Sequence, residues 1–249
     1  MEETLEQELQ NRFERLKEEL LANEIQEFRN DFLEMHYYEQ GQFYQSLTTE
    51  ERMMLYSLLS PKEMADMFDV LEEDNDNMSD YLAEMRPSYA ANMLSEMYSD
   101  NAVDILNTLD KKQMAMYLSL MEKEVASEIR ELLHYEDETA GSIMTTEYVS
   151  IVANQTVRSA MYVLKSEAKV AETIYYIYVV DAEDHLVGVI SLRDLIVNDD
   201  DALIADVMSE RVRSVRVGDD QEDVAQTFRD YDFLALPVVD YEDHLVGIV

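Results

Sequence analysis

Cysteine is absent from the 249 residues, which removes disulfides, thiolate metal sites and cysteine nucleophiles. Glycine occurs five times and proline three times, and so few backbone breakers favour a mostly helical chain. Basic residues are scarce too: 19 Lys and Arg stand against 55 Asp and Glu, a formal charge of −36. A nucleic-acid surface needs a basic stripe against the phosphates, so nucleic acid is excluded as a partner. Direct contact with anionic lipid heads is disfavoured for the same reason. Long apolar runs are missing. The longest, near 173–180, is far short of the ~18–20 residues a membrane span requires. The opening MEETLEQELQ lacks the basic and apolar regions of a signal peptide. The expectation is a soluble chain. Hydrophobic residues make up 47%, enough to build cores despite the acidity. Thirty-six excess negative charges repel one another in a compact shape. Bound cations would relieve that repulsion; ordinary solubility explains the acidity equally well.

Residues 1–136 read as an all-α domain. Leu5, Leu9, Phe13, Leu16 and Leu20 form a stripe at helical period. Thr48-Thr49-Glu50-Glu51 precedes an apolar run, and Ser60-Pro61-Lys62-Glu63 sets a cap, a first-turn proline and an acid in their usual places. Further starts fall near 77, 87, 99 and 110. This spacing predicts short helices stacked in pairs as a helical superhelix. Met53, Met54, Met64, Met67, Met93, Met97, Met114 and Met116 sit mostly at helical spacing. They read as adaptable core packing or as a promiscuous groove.

Beyond Glu138 the texture becomes α+β. Beta-branched clusters predict strands at 148–152, 174–180, 187–190, 212–217 and 236–239, with helices near 156–167, 192–197 and 221–230. Residues 179–190 read VVDAEDHLVGVI and residues 238–249 read VVDYEDHLVGIV, identical at nine of twelve positions. Upstream, Ile143-Met144-Thr145 answers Val207-Met208-Ser209. Two copies of one module are implied, at 137–200 and 201–249. The second stops at Val249 within the matching strand, so a truncated module is expected.

Gly188-Val189-Ile190-Ser191-Leu192-Arg193-Asp194 resembles the ending of a cystathionine-beta-synthase (CBS) motif. The stretches ETAGSIMTTEYVSI, AETIYYIYVVD, LVGVISLRDLIV, DQEDVA and YDFLALPVVD are similar to the MgtE-type magnesium transporters, whose N-terminal domain the acidic helical half also resembles. The resemblance implies a magnesium sensor on the cytoplasmic side of a membrane. It implies a pore domain of the same polypeptide, absent from these residues, and a homodimer through the CBS modules. When the ion is abundant the two domains would draw together and the pore would close.

Magnesium takes oxygen ligands and keeps much of its water, so a few carboxylates suit it. Asp100 and Asp104 stand at i and i+4 on one helix face. Capping by Ser99 or Asp100 is the alternative, and it leaves Asp104 unexplained. The resemblance places metal-binding acids at this pair, at Asp66, at Asp220 and Glu222, and at Asp232. For Asp66 the plain reading is a solvated helix face; for Asp220 and Glu222 it is capping and favourable interaction with a helix dipole. Asp232 falls between a helix and a strand, next to residues expected to pack, so a plain solvated face suits it less well; the resemblance gives its match a part in the interface between domains. Gly141 is read either as a hinge or as a close approach whose carbonyl ligates the ion. Ser191 and Asp194 match the hydroxyl and ribose-binding acid of nucleotide-binding CBS pairs, so ATP or another adenine nucleotide is a second expected ligand; a helix cap is the simpler alternative.

Catalysis finds no support. The histidines 36, 134, 185 and 244 are scattered, and no nucleophile elbow or phosphate-cradling glycine loop occurs. His185 and His244 are repeat equivalents, read as structural. Three functions follow: a magnesium-sensing regulatory region, a nucleotide-sensing CBS pair with a helical partner-binding domain, and an acidic scaffold.

Overall fold

The computed structural model describes residues 2–71 and 77–249, with side chains from Gln7 onward. Leu5 of the predicted stripe therefore lies outside the described side chains. Two units are present: Met1–Met97 with Asn101–Ser127, and Tyr98–Asp100 with Glu128–Val249.

The local capping chemistry fixes where the helices begin. They are α1 (Glu2–Ala22), α2 (Ile25–Leu33), α3 (Tyr37–Ser46), α4 (Thr49–Leu58), α5 (Pro61–Leu71), α6 (Met78–Glu84), α7 (Pro87–Leu94), α8 (Ser99–Asn107), α9 (Lys111–Leu120) and α10 (Lys123–Leu132). Thr48 and Glu51 form a reciprocal capping box that opens α4. Ser60 and Glu63 do the same around Pro61, and Asp110 with Gln113 opens α9. In the first unit α3, α5, α7 and α9 pack in succession, the every-second-helix pattern of a superhelix. Its core holds Leu16, Leu20, Phe28, Phe32, Phe43, Tyr44 and Phe68, all fully buried. Met64, Met67, Met93 and Met97 are buried with them, whereas Met53 and Met116 face solvent. For the first four, core packing is the reading that holds.

The second unit is a duplicated α+β module. The first copy contains β1 (Ser150–Val152), α11 (Val157–Glu167), β2 (Tyr176–Val180), β3 (Leu186–Ser191) and α12 (Leu192–Val197). After α13 (Ile204–Val207), the second contains β4 (Val215–Arg216), α14 (Gln221–Tyr231), β5 (Pro237–Val239) and β6 (Leu245–Ile248). Each sheet has three strands, with a parallel pair joined by a helix and an antiparallel hairpin. The strands at 148, 174 and 212 start later than composition predicts, because only residues with a ladder partner count as strand. α13 was not anticipated; Ile204 seats it in the core of the first sheet beside Ile177 and Ile190.

The two copies exchange their opening segments. Thr145 trades two backbone hydrogen bonds with Ile248, at 2.8 and 2.9 Å, and Ser209 trades two with Val189, at 2.8 and 3.0 Å. This explains the paired glycines of the repeat. A Cβ on Gly188 would lie 2.4 Å from the Met208 sulfur, and one on Gly247 would lie 2.7 Å from the Met144 sulfur. The methionine that opens each copy thus needs the glycine of the other.

Candidate cation and nucleotide sites

The expected metal ligands separate into groups. In the first unit, Asp66 lies in mid-α5 and pairs with Lys62 at 3.0 Å, one helical turn away. Asn101 ties the start of α8 to the end of α5 through the Asp69 carbonyl and carboxylate, at 3.3 and 3.1 Å. Asp104 follows one turn into α8. Solvent reaches its carboxylate, yet the surrounding protein desolvates it and raises its pKa above the ordinary aspartate range. Among the described residues, no Lys, Arg or His lies within salt-bridge distance of Asp104.

In the second unit, Tyr98–Asp100 contribute the first turn of α8. The Ser99 hydroxyl donates to Glu147 Oε2 at 2.9 Å and accepts the Thr146 N–H at 3.1 Å. Glu147 Oε2 also accepts the Ser99 N–H, at 3.3 Å, and the Thr145 hydroxyl. Sequence reasoning missed Glu147, because its role depends on a partner far away in the chain. Asp100 occupies the turn that Glu147 anchors.

Gly141, Asp220 and Glu222 are brought to one place. The segment 138–141 runs beside 217–221: Ala140 N–H donates to the Asp219 carbonyl at 2.7 Å, Gly141 N–H to that of Val217 at 2.9 Å, and Gln221 N–H to that of Glu138 at 2.9 Å. Gly141 has no positive φ. Its reason is close approach, since a Cβ there would lie 2.6 Å from the Tyr135 ring and 3.0 Å from the Val217 carbonyl. Asp220 is the N-cap of α14, and its Oδ1 accepts the Glu222 N–H at 2.8 Å. That leaves Oδ2 and the exposed Glu222 carboxylate directed to solvent at a helix N-terminus.

Asp232 departs from expectation. It is exposed, not packed, and it ends α14 in the left-handed conformation, φ 53° and ψ 42°. An eleven-residue helix separates it from Asp220, roughly 16 Å of rise. One ion cannot take ligands from both ends.

Ser191 and Asp194 form a reciprocal pair at the start of α12. The hydroxyl accepts the Asp194 N–H at 3.1 Å and donates to its carboxylate at 2.6 Å. The capping reading is therefore realised, and the carboxylate remains exposed. The β2–β3 register sets Tyr176 opposite Ser191. Tyr176 also lines a small cavity of about 60 Å³, together with Tyr178, Arg211, Arg213, Phe233 and Pro237. Arg213 lies 4.6 Å over the Tyr231 ring, which stacks on Phe233 at 5.4 Å. Aromatic faces and two guanidiniums are the chemistry that holds a base and phosphates. The sequence signal was present in Arg211-Val212-Arg213, a strand-like alternation of cations in a chain poor in them.

Among the described residues, no helix is long and apolar enough to cross a membrane. The model of the MgtE intracellular N domain family matches residues 35–138, and that of the CBS domain matches 140–200 and 204–249. The magnesium transporter MgtE of Enterococcus faecalis is 73% identical over 243 residues, covering 98% of this chain and 54% of that protein. The magnesium transporter MgtE of Thermus thermophilus is 36% identical over 237 residues, 94% of this chain and 52% of that protein. The chain spans about half the length of these relatives. A crystal structure of the soluble part of a magnesium transporter matches with a TM-score of 0.94 at 73% identity, over 97% of this chain and 94% of the other. The cytosolic domain of the Mg2+ channel MgtE in complex with ATP matches with a TM-score of 0.85 at 36% identity, over 94% and 95%.

Proposed function

Since the chain belongs to the MgtE family of magnesium transporters, which are not enzymes, we propose that it is a magnesium-sensing regulatory region on the cytoplasmic side of a membrane. Its parts are a helical domain, 1–136, and two CBS modules, 137–200 and 201–249. It acts on a pore domain of the same polypeptide and assembles as a homodimer through the modules. Mg2+ takes ligands from Asp66, Asp100 and Asp104 and from Gly141, Asp220, Glu222 and Asp232. More than one ion is needed, given the length of α14. Empty, these carboxylates repel. Ion binding replaces repulsion by attraction, and the equilibrium between separated and closed domains shifts by the differential affinity of the ion for the closed state. The closed state favours a closed pore.

One observation supports this reading above the others: the Asp104 carboxylate, partly desolvated and with no basic side chain within salt-bridge distance among the described residues. A hydrated magnesium ion is the partner its charge calls for. The test is small-angle scattering of the chain in monovalent salt, then with MgCl2 at matched ionic strength. The expected result is a smaller radius of gyration with magnesium, with the change reduced in the Asp104→Asn, Asp232→Asn double variant. Equal radii in the two salts would overturn the sensing mechanism.

A second ligand is supported by the cavity at Tyr176, Arg211 and Arg213, which sits beside Ser191 in the strand register. We infer that an adenine nucleotide binds across the mouth of this cavity and the open surface beside it, with the Asp194 carboxylate taking the ribose hydroxyls and the guanidiniums taking phosphate. The complex of a 36%-identical relative with ATP is consistent with this. Calorimetric titration with ATP should give saturable binding that Asp194→Ala weakens. Unchanged affinity in that variant would remove Asp194 from the site.

A further inference from the structure

The two β-hairpins of the CBS pair meet at a seam that the magnesium and nucleotide readings leave unused. Leu186 N–H donates to the Asp243 carbonyl and Leu245 N–H to that of Asp184, each at 3.1 Å. At the centre, the His185 and His244 rings stack with centroids 4.6 Å apart and planes 17° from parallel. Each ring is held by the aspartate four residues before it. His244 Nδ1 is 2.9 Å from Asp240 Oδ2, and His185 Nδ1 is 3.0 Å from Asp181 Oδ2. The glutamate between them in sequence completes each set: Glu242 Oε2 is 3.9 Å from His244 Nδ1, and Glu183 Oε2 is 4.0 Å from His185 Nδ1.

We propose that Asp240, Glu242 and His244 form a site for a divalent cation of the zinc, cobalt or nickel class, distinct from the magnesium sites. The ligand atoms of these three residues all lie within 4.8 Å of one another, so modest side-chain rotation brings them onto one ion. The turn preorganises them. Asp240 Oδ1 accepts the N–H groups of Glu242 and His244, at 2.8 and 2.9 Å, which leaves Oδ2 for the ion. The stack against His185 fixes the plane of the His244 ring. As the turn stands, Nδ1–H donates to Asp240 Oδ2 at 2.9 Å; an ion takes the place of that proton, which leaves the ring proton on Nε2 and the Nδ1 lone pair on the metal. The ring nitrogen decides the class of ion. Magnesium prefers oxygen ligands, whereas imidazole beside carboxylate suits the borderline transition metals. Asp184 and Asp243 add negative charge at the seam, where Arg216 pairs with Asp243 at 2.8 Å. In the first copy Asp181 and Glu183 lie 3.0 and 4.0 Å from His185 Nδ1, but among the described residues only the second copy brings all three ligand atoms within 4.8 Å, so the second copy fills first. An ion here sits where one module is hydrogen-bonded to the other, so it stiffens the seam.

The test follows the imidazole ¹H–¹⁵N resonances of the chain during titration with ZnCl2 and, separately, MgCl2. Zinc is expected to shift the His244 Nδ1 resonance first, then that of His185, and to leave His36 and His134 unmoved. MgCl2 at the same concentration is expected to leave His244 in place. Glu242→Gln changes a side chain that is 82% exposed, so the fold is retained. It should weaken zinc affinity at His244 about tenfold or more. A His244 resonance indifferent to zinc, equal shifts at all four histidines, or unchanged affinity in Glu242→Gln would each overturn the proposal. None of these outcomes bears on whether magnesium compacts the chain.

Discussion

The helical unit and the CBS unit are both strongly acidic, but they accommodate their acids differently. In the helical unit, arginines do the work. Arg52 holds Glu84 through two bonds, at 2.5 and 2.8 Å, beneath the Tyr81 ring, and Arg29 holds Glu63 through two more, at 2.6 and 3.0 Å. In the CBS unit, backbone N–H groups take that place. Asp181, Asp219, Asp220 and Asp240 each accept main-chain hydrogen bonds at turns or at a helix start. A chain with 19 basic residues and 55 acidic ones cannot pair every carboxylate with a cation. Arg52 and Arg29 go to partly buried acids, and turn geometry satisfies many of the exposed ones. Among the described residues Asp104 has neither device: no cation lies within salt-bridge distance, and burial raises its pKa.

The sharpest way to break this comparison is to remove one cation from each unit. The Arg52 and Glu84 side chains are 11% and 13% exposed, and truncating one partner of such a pair strands a charge, at a cost of about 3–5 kcal/mol. Arg52→Ala is therefore expected to lower the unfolding free energy in denaturant melts by about 3 kcal/mol. Arg216→Ala removes an exposed partner of Asp243 and should cost under about 0.5 kcal/mol. Equal costs would end the distinction. The pH dependence carries the same sign. Burial alone would raise the Glu84 carboxyl, but hydrogen bonds from Arg52, Thr49 and Tyr56 outweigh it and hold it below the usual glutamate range. Its stabilising effect is full above the unfolded-state glutamate pKa and is lost as pH falls through the depressed folded value. The Arg52→Ala variant should lose stability less steeply in acid than the parent chain.

A smaller effect tests the exchange between modules. A Cβ on Gly247 meets the Met144 sulfur at 2.7 Å and also the Thr145 carbonyl at 2.9 Å, whereas one on Gly188 meets only the flexible Met208 side chain. Overpacking of this kind costs about 1–3 kcal/mol. Gly247→Ala should lie near the top of that range and Gly188→Ala near the bottom, although the two are repeat equivalents. Thermal melts of both variants decide it, and a reversed order would mean that the Thr145–Ile248 strand exchange yields more easily than its backbone bonds suggest.

What was legible in the sequence follows from how local each feature is. Thr48, Ser60 and Asp110 announce helix starts because a cap and its N–H lie within three residues. The duplication was readable because its two hairpins keep nearly the same residues. The exchanged segments were not, since Thr145 and Ile248 are brought together only by docking two modules. Glu147 at Ser99 and the stacking of His185 on His244 escaped for the same reason. Ser191 with Asp194, and Asp220 with Glu222, were visible as caps. Sequence does not tell a cap from a ligand, because one aspartate has an oxygen for each task. Asp232 was expected beside packing residues because Phe233 follows it; the left-handed helix end turns it out to solvent instead.

That double capacity makes Asp220 the finest test of the comparison, and the smallest in energy. Its Oδ1 caps α14 while Oδ2 points to solvent near Glu222. Replacing a capping aspartate by alanine costs about 1 kcal/mol, whereas asparagine caps about as well. Asp220→Ala should therefore lower stability by about that amount, and Asp220→Asn should leave it within a few tenths. The magnesium response has the opposite logic. Asparagine keeps the cap but removes the charge that faces a cation, so both variants should reduce magnesium-induced compaction alike. If Asp220→Asn keeps the full response, the carboxylate serves the backbone alone, and the CBS unit uses this acid as it uses Asp219. If the response falls while the melt stays put, one side chain joins the two devices that otherwise separate the units: it satisfies a main-chain donor with one oxygen and waits for an ion with the other.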